Sequence, residues 1–425
     1  MRIAFFVHRF PVISEAFITN AAAGLIDAGH EVDVYALHGD GEAGESRHRV
    51  VADYGLEARS RTFRLREQPR RRLALAPLAG ARLVAAHGLG ARAAIDRRTF
   101  GADGPSLMSL HEAAMFRHGG RYDILHCQFG TLAQTVLNHR RAGFLSGRVL
   151  VHFRGHDISS HVREHGEDVY DPVFAEADGF LAVCDAFRDR AIALGAPAER
   201  VSVIPSGVAV GGFRYTPRGW RPDRPLNLLA VGRLVEKKGF AFAIDAVARV
   251  AAEGLDARLL IMGDGPLHAA LSARAAAHGI ADRVTFFGAA DHAQVAEQLD
   301  RAHLFLAPST TAANGDKEGV INTLKEAMAA GCPFVTTDHG GIPELVEGLD
   351  AGIMVPEGDA EALALALVEL LERRADWPEM GRRGRRRIVE RYSNEAVTQA
   401  TVAAYQRASA TPRAGTSRRL ERHAS

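Results

Sequence analysis

The chain has 425 residues, 47% of them hydrophobic and 24% charged, with a formal net charge of +1 at pH 7. That length exceeds one comfortable α/β domain and points to two. The composition excludes a disordered or fibrous chain, and the charge balance excludes bulk nucleic-acid binding, which needs a marked basic excess.

From the N-terminus, short apolar runs alternate with longer amphipathic segments. The first, Ile3–Val7 in "MRIAFFVHRFP", is too short for a signal-peptide core and lacks a small-residue cleavage site. Strands are expected at Ile3–Val7, Val32–Ala36, Ile124–Cys127, Val149–Phe153, Phe180–Val183 and Val201–Ile204. Helical patterns separate them, such as Ser14–Ala28 with Ser14 as N-cap and Gly29 closing the end. Such alternation argues for βαβ units and a parallel sheet. One stretch differs: Arg59–Arg98 carries eleven arginines against Glu67 and Asp96, interleaved with leucine and alanine. It reads either as a solvated face of an arginine-rich chain or as a basic amphipathic surface for anionic lipid.

"GGFRYTPRGWRPDRP" (Gly211–Pro225) has three prolines, three glycines and no apolar periodicity, and reads as an interdomain linker. The strand pattern then restarts at Leu226–Val231, Leu259–Met262, Val284–Phe287, Leu304–Ala307, Phe334–Thr336 and Gly352–Val355. Helices are expected over Ala360–Arg373, Trp377–Arg391 and Asn394–Ala408, followed by a coreless, disordered tail. The reading is α/β, two doubly wound Rossmann-like domains facing a cleft: residues 1–215, a linker 216–225, and residues 226–392. Residues 393–410 form a last helix and 411–425 the tail. Cys127, Cys184 and Cys332 are odd in number and widely spaced, so they read as buried thiols in a reducing cytoplasm. No stretch approaches the roughly 18 apolar residues of a membrane span. The expected location is the cytoplasm, with peripheral contact at the inner face of the membrane.

Three motifs carry chemistry. In "AVGRLVEKKGF" (Ala230–Phe240) a strand ends, Gly232 allows a close turn, and Arg233 and Lys238 flank a helix entrance, a good place for a diphosphate. The chain's four lysines, Lys237, Lys238, Lys317 and Lys325, all fall in this motif or in "NGDKEGVINTLKEAMAAG" (Asn314–Gly331). "LLIMGDGPL" (Leu259–Leu267) is a strand followed by a glycine turn at Asp264; it serves either a ligand or merely a tight turn with Pro266 at a helix start. Gly288, after "VTFF", suits a base-contacting loop or a strand end.

In the lysine-bearing stretch, Glu318 and Glu326 are eight positions apart. On one helix they would sit about 80° apart, a poor common face. With Glu318 in a loop and the helix starting near Gly319–Ile321, the backbone N–H groups of residues 319–322 would receive an anion. Glu326 would then lie roughly 6–9 Å along the axis, placed for ribose hydroxyls.

Together, Glu-x7-Glu, "GRLVEKKG", "GDGPL" and "GGIPELVEG" resemble the retaining glycosyltransferases of family 4, which have the GT-B fold. "FPVISEAFI" (Phe10–Ile18), "HCQFG" (His126–Gly130) and "HFRGHDIS" (His152–Ser159) resemble the branch that builds colanic acid and other exopolysaccharides or capsules. The resemblance implies that the last helix crosses back to the N-terminal domain. It assigns the donor diphosphate to Arg233 and Lys238 and the ribose to Glu326. Glu318, with the backbone of Gly319, Val320, Ile321 and Asn322, would hold sugar and phosphate; Gly232, Asp264 and Gly288 would line the donor. The N-terminal domain would supply the acceptor side, through Ser14, Glu15, His126 and Asp157. Arg154 stands where relatives commonly have histidine, so Arg154 or His156 would touch the reacting sugar. Ile321 stands where many relatives have proline.

The partners implied are a nucleoside-diphosphate-sugar and a glycan acceptor of lipid-linked type, with an anionic membrane surface at Arg59–Arg98 and no nucleic acid. No Asp-x-Asp occurs in the chain, and cationic groups can stabilise a leaving diphosphate instead, so no cofactor and no metal are expected. Two alternatives stand beside transfer: a nucleotide-sugar 2-epimerase, with Asp157 as the candidate base, and a non-catalytic nucleotide-sugar or glycan-binding partner.

Overall fold

The computed structural model describes residues 1–12, 15–39 and 49–410. The expected cap at Ser14 and the tail 411–425 lie outside the described residues. By internal contacts the chain divides into two compact units. The first holds Met1–Val183, Phe187–Ile204 and the chain from Thr398; the second holds Cys184–Ala186 and Pro205–Val397.

The first unit is built on seven parallel strands: β1 (Arg2–Val7), β2 (Glu31–Ala36), β3 (Ser60–Thr62), β4 (Arg121–Cys127), β5 (Ser146–Phe153), β6 (Gly179–Ala182) and β7 (Val201–Val203). Their order is β3-β2-β1-β4-β5-β6-β7, so the direction of winding reverses between β1 and β4. The central strands are nearly continuous apolar runs because helices cover both faces of such a sheet; in β1, Ile3, Ala4, Phe5, Phe6 and Val7 are all 0% exposed. Strand β3 was not expected from sequence. Its three residues, Ser60, Arg61 and Thr62, form an edge with no buried position, so no apolar run marks it.

The second unit has six parallel strands: β8 (Leu226–Val231), β9 (Ala257–Met262), β10 (Val284–Gly288), β11 (Leu304–Ala307), β12 (Phe334–Asp338) and β13 (Gly352–Pro356). The order is β10-β9-β8-β11-β12-β13, with the reversal between β8 and β11. The Phe240–Ala252 helix shows why this side folds. Phe240, Ala243, Ile244, Val247 and Val250 recur at three- and four-residue spacing and are buried, in one apolar cluster with Leu228, Leu259 and Leu367. Truncating Ile244 to Ala there would cost about 2–5 kcal/mol.

The boundary between the units falls earlier than the proline-rich stretch suggested. Val208 and Phe213 belong to the second unit's core, and Val208 N–H donates to the Tyr392 carbonyl at 2.8 Å. The stretch expected as a linker is itself packed: Arg218 is 5% exposed and donates to the carbonyls of Asp300 (2.6 Å) and Ala330 (3.1 Å). Polar backbone anchoring leaves no apolar periodicity to read. The Trp377–Arg387 helix passes through a single π-helical turn, Ile388–Tyr392, into the last helix, Asn394–Ala410. From Thr398 that helix belongs to the first unit, where Thr398 fits against Gly24, Tyr405 meets His126 and Arg407 donates to Ser202. This is the C-terminal return to the N-terminal domain that the resemblance implied.

Candidate functional site

In the second unit, the residues singled out in sequence gather at the C-terminal ends of the strands, at the β8/β11 reversal, where open α/β sheets bind ligands. Strand β8 ends into Gly232, β9 into Gly263 and β10 at Gly288. Gly263 N–H donates to the Gly288 carbonyl at 2.8 Å, and a Cβ on Gly263 would stand 1.9 Å from the Gly232 carbonyl oxygen. Only glycine permits these three strand ends to close so tightly. Leu234 N–H donates to the Asp264 carbonyl at 2.9 Å, which ties the "GDGP" turn to the "GRLV" turn. The Asp264 carboxylate accepts from Gly265 N–H at 2.7 Å, so its first role is to shape its own turn.

Lys237 and Lys238 converge on Glu318. The Glu318 Oε1 atom lies 3.3 Å from Lys238 Nζ and 3.4 Å from Lys237 Nζ, and Lys237 Nζ lies 2.9 Å from Asp316. Burial pushes the Glu318 carboxyl up, but the two ammonium groups outweigh it and hold its pKa down to about 2. Lys237 loses charge preference to burial and regains more from Glu318 and Asp316, so its pKa is raised. The Arg233 side chain is exposed and makes no ion pair or hydrogen bond among the described residues.

The loop holding Glu318 is braced from behind. Glu318 N–H donates to His339 Nε2 at 3.0 Å, which places the ring proton on Nδ1, 2.6 Å from Glu357. Glu357 also accepts from the Thr311 N–H at 2.9 Å and its hydroxyl at 3.0 Å, joining three loops. Gly340 has φ +56°, and a Cβ there would stand 1.9 Å from the Glu318 carbonyl oxygen. Sequence reading missed Lys237, His339, Glu357 and Thr311 as parts of this site. The adjacent "EKK" and "HGG" were the only local signals.

The helix expected near Gly319–Ile321 starts slightly later, at Asn322, and runs to Ala329 with Ile321 at its N-cap position. No side chain caps it, and the N–H groups of residues 319–324 donate to nothing among the described residues. Asn322 Oδ1 is buried without a partner. A row of open donors at a helix start carries the positive end of the helix dipole. Ile321 is 3% exposed and its side chain packs in the core, so only its backbone is left to meet a ligand.

One turn into this helix, Glu326 is 7% exposed and its carboxylate accepts no hydrogen bond among the described residues; His292 Nδ1 stands 3.6 Å away. Burial raises its pKa to about 7, with Lys325 opposing only weakly. A nearly buried carboxylate without donors can accept hydrogen bonds that a ligand's hydroxyls bring. Lys325 is not part of the site. It is 0% exposed, and its Nζ donates to the Ser206 carbonyl and lies 5.7 Å from the Tyr392 ring centre. The clustering of the four lysines is therefore only partly about ligand.

The first-unit residues tell a different story. His126 is 3% exposed, its Nδ1 shares a 2.6 Å hydrogen bond with the Tyr405 hydroxyl, and its ring stacks on His152 at 5.5 Å. Burial, with Arg154 adding, depresses its pKa well below the ordinary value, so it is a neutral core histidine and not an acceptor contact. Asp157 is 1% exposed, and its two oxygens accept from Gly130, Arg154 and Gly155 N–H at 2.8, 2.9 and 2.9 Å. It braces two loops, with three of a carboxylate's roughly four acceptor positions taken by backbone donors. Arg154 donates to the Gln128 carbonyl (2.9 Å) and to His152 Nδ1 (3.1 Å), and its guanidinium covers the Phe17 ring at 4.5 Å. Burial lowers its pKa to about 10, which leaves it charged at neutral pH. His156 is exposed. Glu15 precedes the Ala16–Asp27 helix and adds to the negative potential around Arg154.

Two parallel-sheet Rossmann-like units, the second with an open helix start at its reversal point, have the GT-B fold. Residues 14–207 match the description "Glycosyl transferase 4-like domain" and residues 225–373 match "Glycosyl transferases group 1". The chain is 34% identical over 403 residues to the putative colanic acid biosynthesis glycosyltransferase WcaL of Salmonella typhimurium, covering 93% of this chain and 97% of that protein. It is 33% identical over 377 residues to the amylovoran biosynthesis glycosyltransferase AmsK of Erwinia amylovora, covering 88% and 92%. The fold matches Anabaena Alr3699/HepE in complex with UDP and glucose, with a TM-score of 0.69 at 18% identity over 96% of this chain and 100% of that one. The protein belongs to the group 1, family 4 glycosyltransferases and is an enzyme of that class.

Proposed function

We propose that the protein transfers a sugar, with retention and without a metal, from a nucleoside-diphosphate-sugar to a lipid-linked glycan in exopolysaccharide assembly. The observation that carries this reading is the open helix start at Asn322, flanked by Glu318 with its two lysines and by the donor-starved Glu326. That order matches sugar, diphosphate and ribose. The relatives named for colanic acid and amylovoran biosynthesis supply the pathway class. In the proposed step the acceptor oxygen bonds to the anomeric carbon on the face from which the C–O bond to phosphate breaks. The departing phosphate oxygen takes the acceptor proton. Arg233, Lys238 and the helix N–H groups neutralise the charge that develops on the diphosphate, and Glu318 accepts from donor-sugar hydroxyls. On the acceptor side we assign the exposed His156, with Arg154 and Asp157 as its structural support.

The acceptor's lipid would sit in the inner face of a membrane, with the basic stretch Arg59–Arg98 toward it and the protein in the cytoplasm. The 2-epimerase alternative loses ground, because Asp157, its base, is committed to three backbone donors. Incubation with candidate nucleotide-sugars and a lipid extract, in chelator, followed by mass spectrometry and proton NMR of the product, tests the reading. A new α- or β-linkage with the donor's own configuration supports it. Donor conversion to an epimer with no acceptor product overturns it.

A further inference from the structure

The Pro69–His87 helix is turned inside out relative to an ordinary surface helix. Its buried residues are Arg72, Ala79 and Leu83, one narrow stripe, and Arg72 donates to the Ser106 carbonyl at 3.1 Å and the Leu65 carbonyl at 3.0 Å. Facing outward, Leu73 is 69%, Leu78 53% and Val84 56% exposed, and the apolar surface continues through Leu89 at 88% and Ile95 at 52%. At 100° per residue, Leu73, Ala74, Pro77, Leu78, Ala81 and Val84 cover the half of the helix opposite the buried stripe. Against the expectation from sequence that no stretch approaches a membrane span, the Pro69–Ile95 segment is long and apolar enough for one by length and composition, and only 11% of its most apolar part is buried. An exposed apolar surface of this extent marks an interaction site.

Charge says what covers it. No Asp or Glu occurs between Glu67 and Asp96. Arg70, Arg71, Arg82, Arg92, Arg97 and Arg98 are exposed, and none makes an ion pair among the described residues. A second copy seated on this face across a two-fold axis would bring arginines onto arginines. A membrane-spanning role conflicts with Arg82 at mid-helix and with the anchoring of Arg72, Ala79 and Leu83 to the domain. An anionic lipid surface satisfies both the apolar face and its basic rim.

We propose that the Pro69–His87 helix and the segment to Ile95 lie in the plane of an anionic membrane surface, with Leu73, Leu78, Val84 and Leu89 inserted among the headgroups and the arginine rim in contact with them. This deepens the reading of a lipid-linked acceptor: it names the membrane contact as apolar insertion, not charge attraction alone. Insertion places the first unit where such an acceptor is anchored.

The test is co-sedimentation of the full chain with vesicles of phosphatidylcholine alone and of phosphatidylcholine mixed with phosphatidylglycerol. Binding is expected only to the mixed vesicles. The double substitution Leu78→Glu/Val84→Glu should weaken it about tenfold or more, and Arg70→Gln or Arg71→Gln about fivefold each. Both positions are solvent-exposed, so melting curves of the variants should match the parent. Absence of binding to the mixed vesicles overturns the proposal, as does binding that Leu78→Glu/Val84→Glu leaves unchanged. Loss of a dimer in that variant, seen by light scattering, would assign the face to a second copy and also overturn it. The thermal shift produced by nucleoside diphosphates is measured on the same samples. A shift without vesicle binding sinks membrane insertion and leaves sugar transfer standing; vesicle binding without a shift does the reverse.

Discussion

Replacing Glu326 by Gln separates what the fold wants from what the ligand wants. Burial lifts the Glu326 pKa from an ordinary 4.5 to about 7, so the folded chain favours the neutral carboxyl. The stability this group contributes is therefore complete below about pH 4.5 and is lost as pH rises through 7. Above pH 8 the ionised side chain carries a burden of about 3 kcal/mol, at 1.36 kcal/mol per pK unit. Glutamine has the same shape and no charge, so Glu326→Gln should raise the melting temperature at pH 8 by roughly 6–12 °C, at about 2–4 °C per kcal/mol for a domain of this size. At pH 4.5 the two proteins should melt together. Nucleotide binding should move the other way. Two ribose hydroxyls donating to a charged acceptor strengthen it by about 1.5–3 kcal/mol over a neutral one, so the variant should bind its nucleoside diphosphate roughly ten- to a hundredfold more weakly. In the parent, affinity should fall as pH drops through 7, and calorimetry near that pH should record proton release on binding. Glu326→Gln should abolish both effects. A variant that is no more stable at pH 8 and binds nucleotide as tightly as the parent refutes the reasoning.

Lys238→Ala should lower turnover on the order of 10²-fold, by analogy with removing one transition-state charge donor; unchanged turnover under saturating donor would remove Lys238 from the chemistry. His339→Phe leaves the Glu318 N–H and the Glu357 carboxylate without their partner, which should cost about 2–3 kcal/mol in thermal or denaturant unfolding and raise the donor KM. A melting curve and KM matching the parent would show that the brace is idle. Asp157→Ala strands three backbone donors and should cost about 3 kcal/mol or more in stability while nucleotide affinity stays as in the parent. Lost donor conversion in a fully stable Asp157→Ala protein would instead restore it as a reacting group.

Much of the architecture could be read from the apolar runs, because central parallel strands such as β1 and β5 are buried on both faces and announce themselves. What escaped was polar or indirect. Strand β3 has no buried side chain, and the stretch around Arg218 packs through carbonyls, so hydrophobic periodicity is blind to both. The motifs proposed for the donor were legible because their chemistry is local: a glycine turn, Arg233 with Lys238, and a helix start. First-unit residues were harder. His126 and Asp157 stand in motifs that look like sites, yet one lies in the core against Tyr405, 279 positions away, and the other spends its oxygens on loop N–H groups. Sequence shows that a polar residue is present, but not whether its partners are substrate or backbone. His339 illustrates the converse, a histidine beside a plain glycine pair whose role depends on Glu357 and on the Glu318 backbone.

The central claim is that the open helix start at Asn322, with Arg233, Lys238 and Glu326 around it, holds a nucleoside diphosphate. Calorimetric titration of UDP, GDP and ADP into the full chain in the presence of a chelator tests it most directly. One of the three should bind to the parent, and Arg233→Ala, Lys238→Ala and Glu326→Ala should each weaken that binding by about tenfold or more. A folded protein that binds none of them, or binds one with an affinity that all three substitutions leave intact, would contradict the account.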